Sequence, residues 1–367
     1  MSGHFETIRQ TILDRCTACG ACADICPGVD IAGLDALDPA ELQEALLEFI
    51  RAPRPSDTVS MRIDACLECF RCADACPEDL EPLSLIETAK ALSFREGFAP
   101  YIHASPEDVS RERAVIDKTL SQGERDRVCR ASGERRAGVL FFPGCNVYNA
   151  PQRVVRARAV LERIAGEHAF LPGLEFCCGD RFLFDGRADE AEAHYTAFCN
   201  AMEALEPETI VLWCPTCLTR MRMTWKSSAN LVSFFQFCRD HLDRLRFSPH
   251  TAEQAVTLHE PCKTAYTGLD DSHRDVIRAI PNLHLREMPS GVTCCGSGGL
   301  SHYRERTLEE ITRTRLREAR ETGADRLITI CHFCQEVLER ENPGPGMEVV
   351  NLLDVLFERL EGSGNGG

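Results

Sequence analysis

The sequence predicts an α/β protein in which a helical, cysteine-rich amino-terminal domain precedes two duplicated parallel α/β halves related by a pseudo-two-fold. Three observations predict it. Two cysteine runs near the amino end share one spacing, five later cysteines recur at a fixed offset, and short apolar runs alternate with longer amphipathic segments from residue 138 onward. Strands that alternate with helices build parallel sheets, and brief continuous apolar runs suit strands covered on both faces.

The amino-terminal domain is expected over residues 1–104. CTACGACADICP sets Cys16, Cys19, Cys22 and Cys26 ahead of Pro27, and CLECFRCADACP sets Cys66, Cys69, Cys72 and Cys76 ahead of Pro77, each 50 positions after its counterpart. Both runs read C-x2-C-x2-C-x3-C-P. Three thiolates so spaced wrap one face of a cubane 4Fe–4S cluster, and the fourth is carried to the neighbouring cluster. The spacing therefore assigns Cys16, Cys19, Cys22 and Cys76 to one cubane and Cys66, Cys69, Cys72 and Cys26 to the other. Structural zinc usually takes paired ligands from separate segments, which disfavours two zinc sites. PAELQEALLEFI, with Leu42, Ala45, Leu46 and Phe49 in helical register, and PLSLIETAKALSFREGF, opened by Pro82, read as helices. The module is thus a helical two-cluster ferredoxin domain.

Residues 105–137 are rich in charge and poor in large apolar side chains, and read as a linker with partial helix. Beyond it Cys145, Cys177, Cys178, Cys214 and Cys217 are matched by Cys262, Cys294, Cys295, Cys331 and Cys334, every pair 117 positions apart. Each half, 138–254 and 255–360, reads C-x31-CCG-x34-C-x2-C. GVLFFPG runs into Cys145, TIVLW into Cys214, AVTLHEP into Cys262 and DRLITI into Cys331. These are the carboxyl ends of expected strands, where open parallel sheets bind ligands. PQRVVRARAVLERIA, GRADEAEAHYTAFCNAME and SHYRERTLEEITRTRLREARETG read as the intervening helices. Residues 361–367 form a glycine-rich flexible tail.

Composition narrows the chemistry. Twenty-one cysteines in 367 residues, an odd count, favour metal or redox chemistry over a disulfide framework. The net charge of −16 excludes nucleic acid and anionic lipid as expected partners. No apolar run is long enough to span a bilayer and the charged start is no secretory signal, so a cytoplasmic protein is expected. No flavin or nicotinamide fingerprint is present, so electrons must come from a partner.

Five thiolates per half exceed the needs of one zinc or one cubane. Adjacent cysteines can reach different irons of one cluster or bridge two, while Gly179 or Gly296 lets backbone approach closely. Spacing alone leaves open an irregular cluster with a reactive iron, or one ordinary cubane or zinc with a spare thiol. The motifs FPGCN, FCCGD and WCPTC, then HEPCK, TCCGSGG and CHFC, resemble the cysteine-rich CCG domain of heterodisulfide reductases. Fused behind the ferredoxin module over about residues 10 to 355, the whole resembles the D-type polypeptide of that family, or a fusion of its C-type and B-type polypeptides. The resemblance implies two cubane and two noncubane 4Fe–4S clusters. The noncubane pair would face each other across a substrate disulfide, small or protein-borne, and cleave it by paired one-electron steps. It also implies a flavin-containing subunit of the heterodisulfide reductase A type, or another donor such as a membrane cytochrome, as partner. Iron–sulfur subunits of glycolate oxidase, anaerobic glycerol-3-phosphate dehydrogenase and benzoyl-CoA reductase complexes share the layout and imply the alternative, a pure electron relay. The intact Cys214–Cys217 and Cys331–Cys334 pairs favour disulfide reduction.

The same ten cysteines are then ligands of reactive clusters. His259 and Lys263, which flank Cys262, stand either for proton and charge supply or for hydrogen bonds to cluster sulfur. His332 and His302 lie nearby in sequence. Arg220 and Arg222, close in sequence to ligand cysteines, stand either for positive charge beside the clusters or, the preferred reading, for a solvated or partner-facing helix. Cys199 and Cys238 read as buried structural thiols and Cys129 as an exposed one.

Overall fold

The computed structural model describes residues 3–98, 109–131, 138–249, 251–266, 271–298, 303–344 and 346–362. Of the sequence expectations, linker residues 105–108 and 132–137, tail residues 363–367 and His302 lie outside the described residues. The chain divides into two compact units. One comprises residues 1–107, 179–194 and 294–314, and the other residues 108–178, 195–293 and 315–367.

The first unit is built on the helices Gly3–Arg15, Pro39–Arg51, Asp57–Asp64 and Pro82–Arg95. The helix at 39–51 starts where Asp38 accepts the amide of Ala40 at 2.8 Å and Pro39 supplies a pre-set first turn. It buries Leu42, Leu46, Leu47, Phe49 and Ile50 on one stripe. Segments following each double cysteine also belong here. Helix Asp180–Phe184 packs on the Pro82–Arg95 helix, and Tyr303 and Ile311 pack on Val29, Ile31 and Leu42. The expected halves 138–254 and 255–360 therefore each give up an inner stretch to this unit. Glycine permits both departures. Gly179 (φ 83°) and Gly296 (φ 82°) are left-handed, and a Cβ would stand 2.5 Å from the Ala191 carbonyl oxygen and 2.4 Å from Thr312 Oγ1, respectively.

The second unit holds two four-stranded sheets. Strands β1 (Val139–Phe142), β2 (Ala169–Phe170), β3 (Thr209–Leu212) and β4 (Asn230–Ser233) form one in the order β2-β1-β3-β4. Strands β5 (Gln254–His259), β6 (Leu283–Leu285), β7 (Arg326–Thr329) and β8 (Glu348–Asn351) form the other in the order β6-β5-β7-β8. All pairs are parallel, and the registers repeat: Phe142 pairs with Leu212, and His259 with Thr329. Central β1, β3, β5 and β7 are the four apolar runs read from the sequence. The edge strands β2, β4, β6 and β8 are two to four residues long, β4 and β8 half polar, and too short to show a period.

Alternation along β1 sends Phe141 to one face and Leu140 and Phe142 to the other. Phe141 joins Val211, Val256 and Ile328, together with helices Gln152–Ala165 and Leu352–Arg359, in one core shared by both halves. Arg153 and Arg156 donate to Asp354 at 2.7 and 2.5 Å between those two helices. The charged stretch expected as a linker carries helices Ser110–Thr119 and Gln122–Cys129, and its few apolar residues Ile116, Leu120 and Val128 all enter that core. No helix among the described residues is long and apolar enough to cross a membrane.

Gly179→Ala and Gly296→Ala are each expected to cost about 2–4 kcal/mol, from left-handed strain plus overpacking. Gly123→Ala, in a helix where nothing lies within 4 Å of the new Cβ, should be neutral or stabilise by about 0.5–1 kcal/mol. Urea midpoints of the three variants at constant slope check the contrast.

Candidate metal centres

Two neighbouring cavities open among the amino-terminal cysteines. One is lined by Cys16, Cys19, Cys22 and Cys76, the other by Cys26, Cys66, Cys69 and Cys72 with Cys22 on a shared wall. Each thus takes three thiols from one run and the fourth from the other. The loops that carry them are alike. Ala18 (φ 56°) and Gly20 (φ 80°) in the first run, and Glu68 (φ 50°) and Phe70 (φ 58°) in the second, are left-handed at corresponding positions. Left-handed residues alternating with right-handed ones turn successive amides into a concavity suited to an anionic group.

A buried cation stands beside each cavity. Arg62 donates to the Leu42 carbonyl and to Gln43 Oε1, both at 2.8 Å, and its Nη2 reaches Cys22 Sγ at 3.8 Å. Gln43 Nε2 lies 3.7 Å from Cys16 Sγ. Lys90 Nζ lies 3.6 Å from Glu68 Oε1 and 4.1 Å above the Phe184 ring. Burial raises the Cys22 thiol against the pull of Arg62, and pushes Cys66 up to about 12 against the pull of Lys90. Cys72 is raised by burial first and then by neighbouring thiols. Such thiols ionise at neutral pH only when a metal supplies the compensating charge, so the donor set and the amide concavities fit iron–sulfur clusters.

In the first half the chain brings five thiols together at the carboxyl ends of β1 and β3. Cys145 follows β1, and Cys214 caps helix Pro215–Thr224, with Cys217 in its first turn. Cys217 and Cys178 Sγ are 3.4 Å apart. Contacts with Cys145 and Cys178 raise the Cys177 thiol, and contacts with Cys178 and Cys214 raise that of Cys217. Cys145, Cys177, Cys178, Cys217 and Cys214 are therefore gathered in one cluster of neighbouring thiols. Five thiols gathered in this way are a donor set for several irons rather than one. A sixth thiol, Cys199, is buried close by on the Cys178 side, with Tyr195 beside it.

In the second half Cys262 opens a short helix after β5, and Cys331 caps helix His332–Arg340 after β7, with Cys334 in its first turn. Cys294 and Cys295 belong to the first unit, where the Cys295 carbonyl accepts from Thr312 Oγ1 at 2.8 Å. Within the second unit the halves exchange contacts reciprocally. Helix Pro215–Thr224 packs on helix Cys262–Tyr266, and helix His332–Arg340 packs on the turn Asn146–Asn149 that follows Cys145. Trp213, just ahead of Cys214, meets His332 edge-on at 4.5 Å. The two C-x2-C turns are neighbours.

The flanking residues sort by burial. His259 is fully enclosed, its Nδ1 accepting from Arg315 Nε at 3.1 Å, and its ring comes within 4.8 Å of Cys334 Sγ. Arg315 also donates to Ser290 Oγ at 2.7 Å, the Gly291 carbonyl at 2.8 Å and Glu318 at 2.8 Å. Lys263 is buried, and its carbonyl accepts from Thr219 Oγ1 at 3.5 Å. Burial holds His332 down at about 3, so it is neutral at physiological pH. Arg220 is buried, contrary to the solvated face expected for it, because its helix turns Cys217 through Met221 inward, while Arg222 is exposed and donates to the Leu231 carbonyl. Cys238 is buried and Cys129 half-buried. Gln43, Arg62, Glu68, Lys90 and Arg315 were not singled out from the sequence. For Arg315 a signal existed, since 117 positions earlier stands Phe198, and opposite His259 stands Phe142.

Two family models match the chain. A 4Fe-4S dicluster domain covers residues 11–80, and the Cysteine-rich domain CCG matches twice, at 139–222 and 256–339. Among curated relatives, the B-type polypeptide of fumarate reductase (CoM/CoB) from Methanothermobacter marburgensis is 28% identical over 76% of this chain and 58% of its own length. The D-type polypeptide of dihydromethanophenazine:CoB–CoM heterodisulfide reductase from Methanosarcina barkeri is 23% identical over 62% and 60%. The C-type polypeptide of anaerobic glycerol-3-phosphate dehydrogenase from Escherichia coli is 27% identical over 55% and 54%. The chain thus spans a little over half the length of these relatives.

Lys90→Met leaves Glu68 buried without its cation and should destabilise by about 3–5 kcal/mol, whereas Lys90→Met with Glu68→Gln should recover most of the loss. Thermal unfolding of the cluster-loaded chain, of the single variants Lys90→Met and Glu68→Gln, and of the double variant closes that cycle.

Proposed function

From a chain that joins a dicluster ferredoxin module to two CCG domains and resembles the D-type polypeptide of heterodisulfide reductases, we propose an iron–sulfur oxidoreductase subunit that reduces a disulfide or, in reverse, oxidises two thiols. The observation that carries this reading is the gathering of five neighbouring thiols in the first half, whose spacing is repeated in the second half. Cys145, Cys177, Cys178, Cys214 and Cys217 would hold one noncubane cluster, and Cys262, Cys294, Cys295, Cys331 and Cys334 the other. Cys16, Cys19, Cys22 and Cys76 would hold one cubane, and Cys66, Cys69, Cys72 and Cys26 the second. When bound, the clusters supply single electrons, so that a disulfide, two electrons and two protons give two thiols.

The chain's own contribution is position and environment. The strand-to-helix turns after β1, β3, β5 and β7 aim the thiols, and the contact of Trp213 with His332 holds the two C-x2-C turns side by side. That proximity favours two one-electron sites acting on one disulfide. Lys263, buried next to Cys262, offers positive charge in a chain of net charge −16. With no dinucleotide fingerprint in the sequence, the electrons come from a partner, a flavin-containing subunit of the heterodisulfide reductase A type being the one the resemblance supports. The likeness to the glycerol-3-phosphate dehydrogenase polypeptide supports the competing relay reading, which the experiment must separate.

The anaerobically purified chain should contain about 16 irons, four clusters of four. A reproducible value near eight with zinc present would sink the assignment. Cys76→Ala should remove the signal of the cluster built on Cys16, Cys19 and Cys22 while sparing that of Cys66, Cys69 and Cys72.

Turnover of candidate disulfides by the reduced chain separates catalyst from relay. Cys178→Ser should abolish turnover yet leave the cubanes reducible. Full electron passage to a partner protein, without disulfide turnover in the unmodified chain, would instead establish the relay.

A further inference from the structure

The two halves superpose in register but not in chemistry. Phe142 ends β1 and His259 ends β5, 117 positions apart and in the same register against the neighbouring strand. Phe198 and Arg315 are related by the same offset and lie on the corresponding helices, Ala188–Glu203 and Arg313–Glu321. In the first half this pair is apolar. The Phe142 and Phe198 rings lie 4.4 Å apart, both fully buried, in one cluster with Cys178, Cys214 and Cys217. In the second half the same pair is polar and equally buried: Arg315 donates to His259 Nδ1, and the ring stands within 4.8 Å of Cys334.

Duplicated sites that keep every ligand at one offset have no packing reason to diverge so sharply behind them. A guanidinium enclosed in protein is costly unless well partnered, and this one spends its donors on Ser290, Gly291, Glu318 and His259. Because Nδ1 accepts from Arg315, the neutral ring carries its proton on Nε2. Glu318 offsets much of the guanidinium's charge, so what the pair offers to Cys334, whose Sγ lies within 4.8 Å of the ring, is chiefly the Nε2–H of His259. Donors directed at cluster sulfur make a cluster easier to reduce, whereas an apolar wall makes it harder.

We propose that Arg315 is a positioning residue that fixes the tautomer of His259, and that this pair makes the second-half cluster the more readily reduced of the two noncubane sites. The inference rests on the two-noncubane reading above and deepens it: the first electron settles on the second half. A disulfide bound between the halves meets two unequal irons and is polarised before it parts.

The test is a redox titration followed by electron paramagnetic resonance on the full, anaerobically loaded chain. His259→Phe with Arg315→Phe copies the first half's pair. It should shift one noncubane cluster towards the oxidised form by tenfold or more in its reduction equilibrium, about 59 mV for one electron, and leave the other clusters unmoved.

If that double variant fails to fold, His259→Gln and His259→Leu make the same comparison. Gln keeps an N–H donor and should hold most of the wild-type potential, while Leu should lose it. An exchangeable proton coupled to that cluster should vanish with the His259→Leu change. A wild-type chain whose two noncubane clusters titrate together, or variants with full iron and unmoved potentials, would overturn the inference alone. A wild-type chain with only half the expected iron would instead overturn the reading beneath it, and the inference with it.

Discussion

A thiol placed at the carboxyl end of a central parallel strand is the constraint on which the rest of the second unit depends. Cys145, Cys214, Cys262 and Cys331 lie two or three positions beyond the ends of β1, β3, β5 and β7, where the chain must turn outward to begin the next element. Cys214 and Cys331 sit at helix N-caps, each opening the helix whose first turn carries Cys217 or Cys334. A parallel sheet fixes the separation of adjacent strand ends, so once two strands pair, their thiols are neighbours. The apolar strand interiors serve to hold that spacing rigid.

Charge is distributed to the same end. The chain is strongly acidic overall, yet Arg62, Lys90 and Arg315 are buried with at most 6% of their surface exposed, each beside a cysteine or its supporting histidine. Each is tied down by a partner that removes its freedom to move: Gln43, Glu68 or Glu318. Fixed positive groups next to clustered sulfur work against the burial that raises the Cys22 and Cys66 thiols. Electrons added to such sites find part of their counter-charge already in place.

Most of the cysteine architecture was legible in the sequence, because a ligand set is written as spacing. The 50- and 117-residue offsets, the four central strands and the long helices all follow from periods longer than local noise. The edge strands β2, β4, β6 and β8 did not, since runs of two to four residues carry no period. Nor did the transfer of residues 179–194 and 294–314 to the first unit, which depends on glycine turns and close approaches that no pattern of hydrophobicity encodes. Arg220 was misplaced because an arginine near a helix end usually faces water, and only the packed neighbour decides otherwise. The Arg315–His259 contact joins residues 56 apart in the chain and became visible only when the halves were laid over each other.

Ala18, Glu68 and Phe70 keep left-handed backbone without being glycine, at roughly 1–2 kcal/mol each. Together that is about 3–6 kcal/mol, comparable with the whole stability of many domains. Thiols without metal offer little to offset it, so the loops are secure only once the chain is loaded. Loading is then a step of maturation, and the empty module is the part of the molecule that opens first. Opened segments are what cellular proteases cleave. When iron is scarce, the amount of this protein is governed by its lifetime as much as by its synthesis.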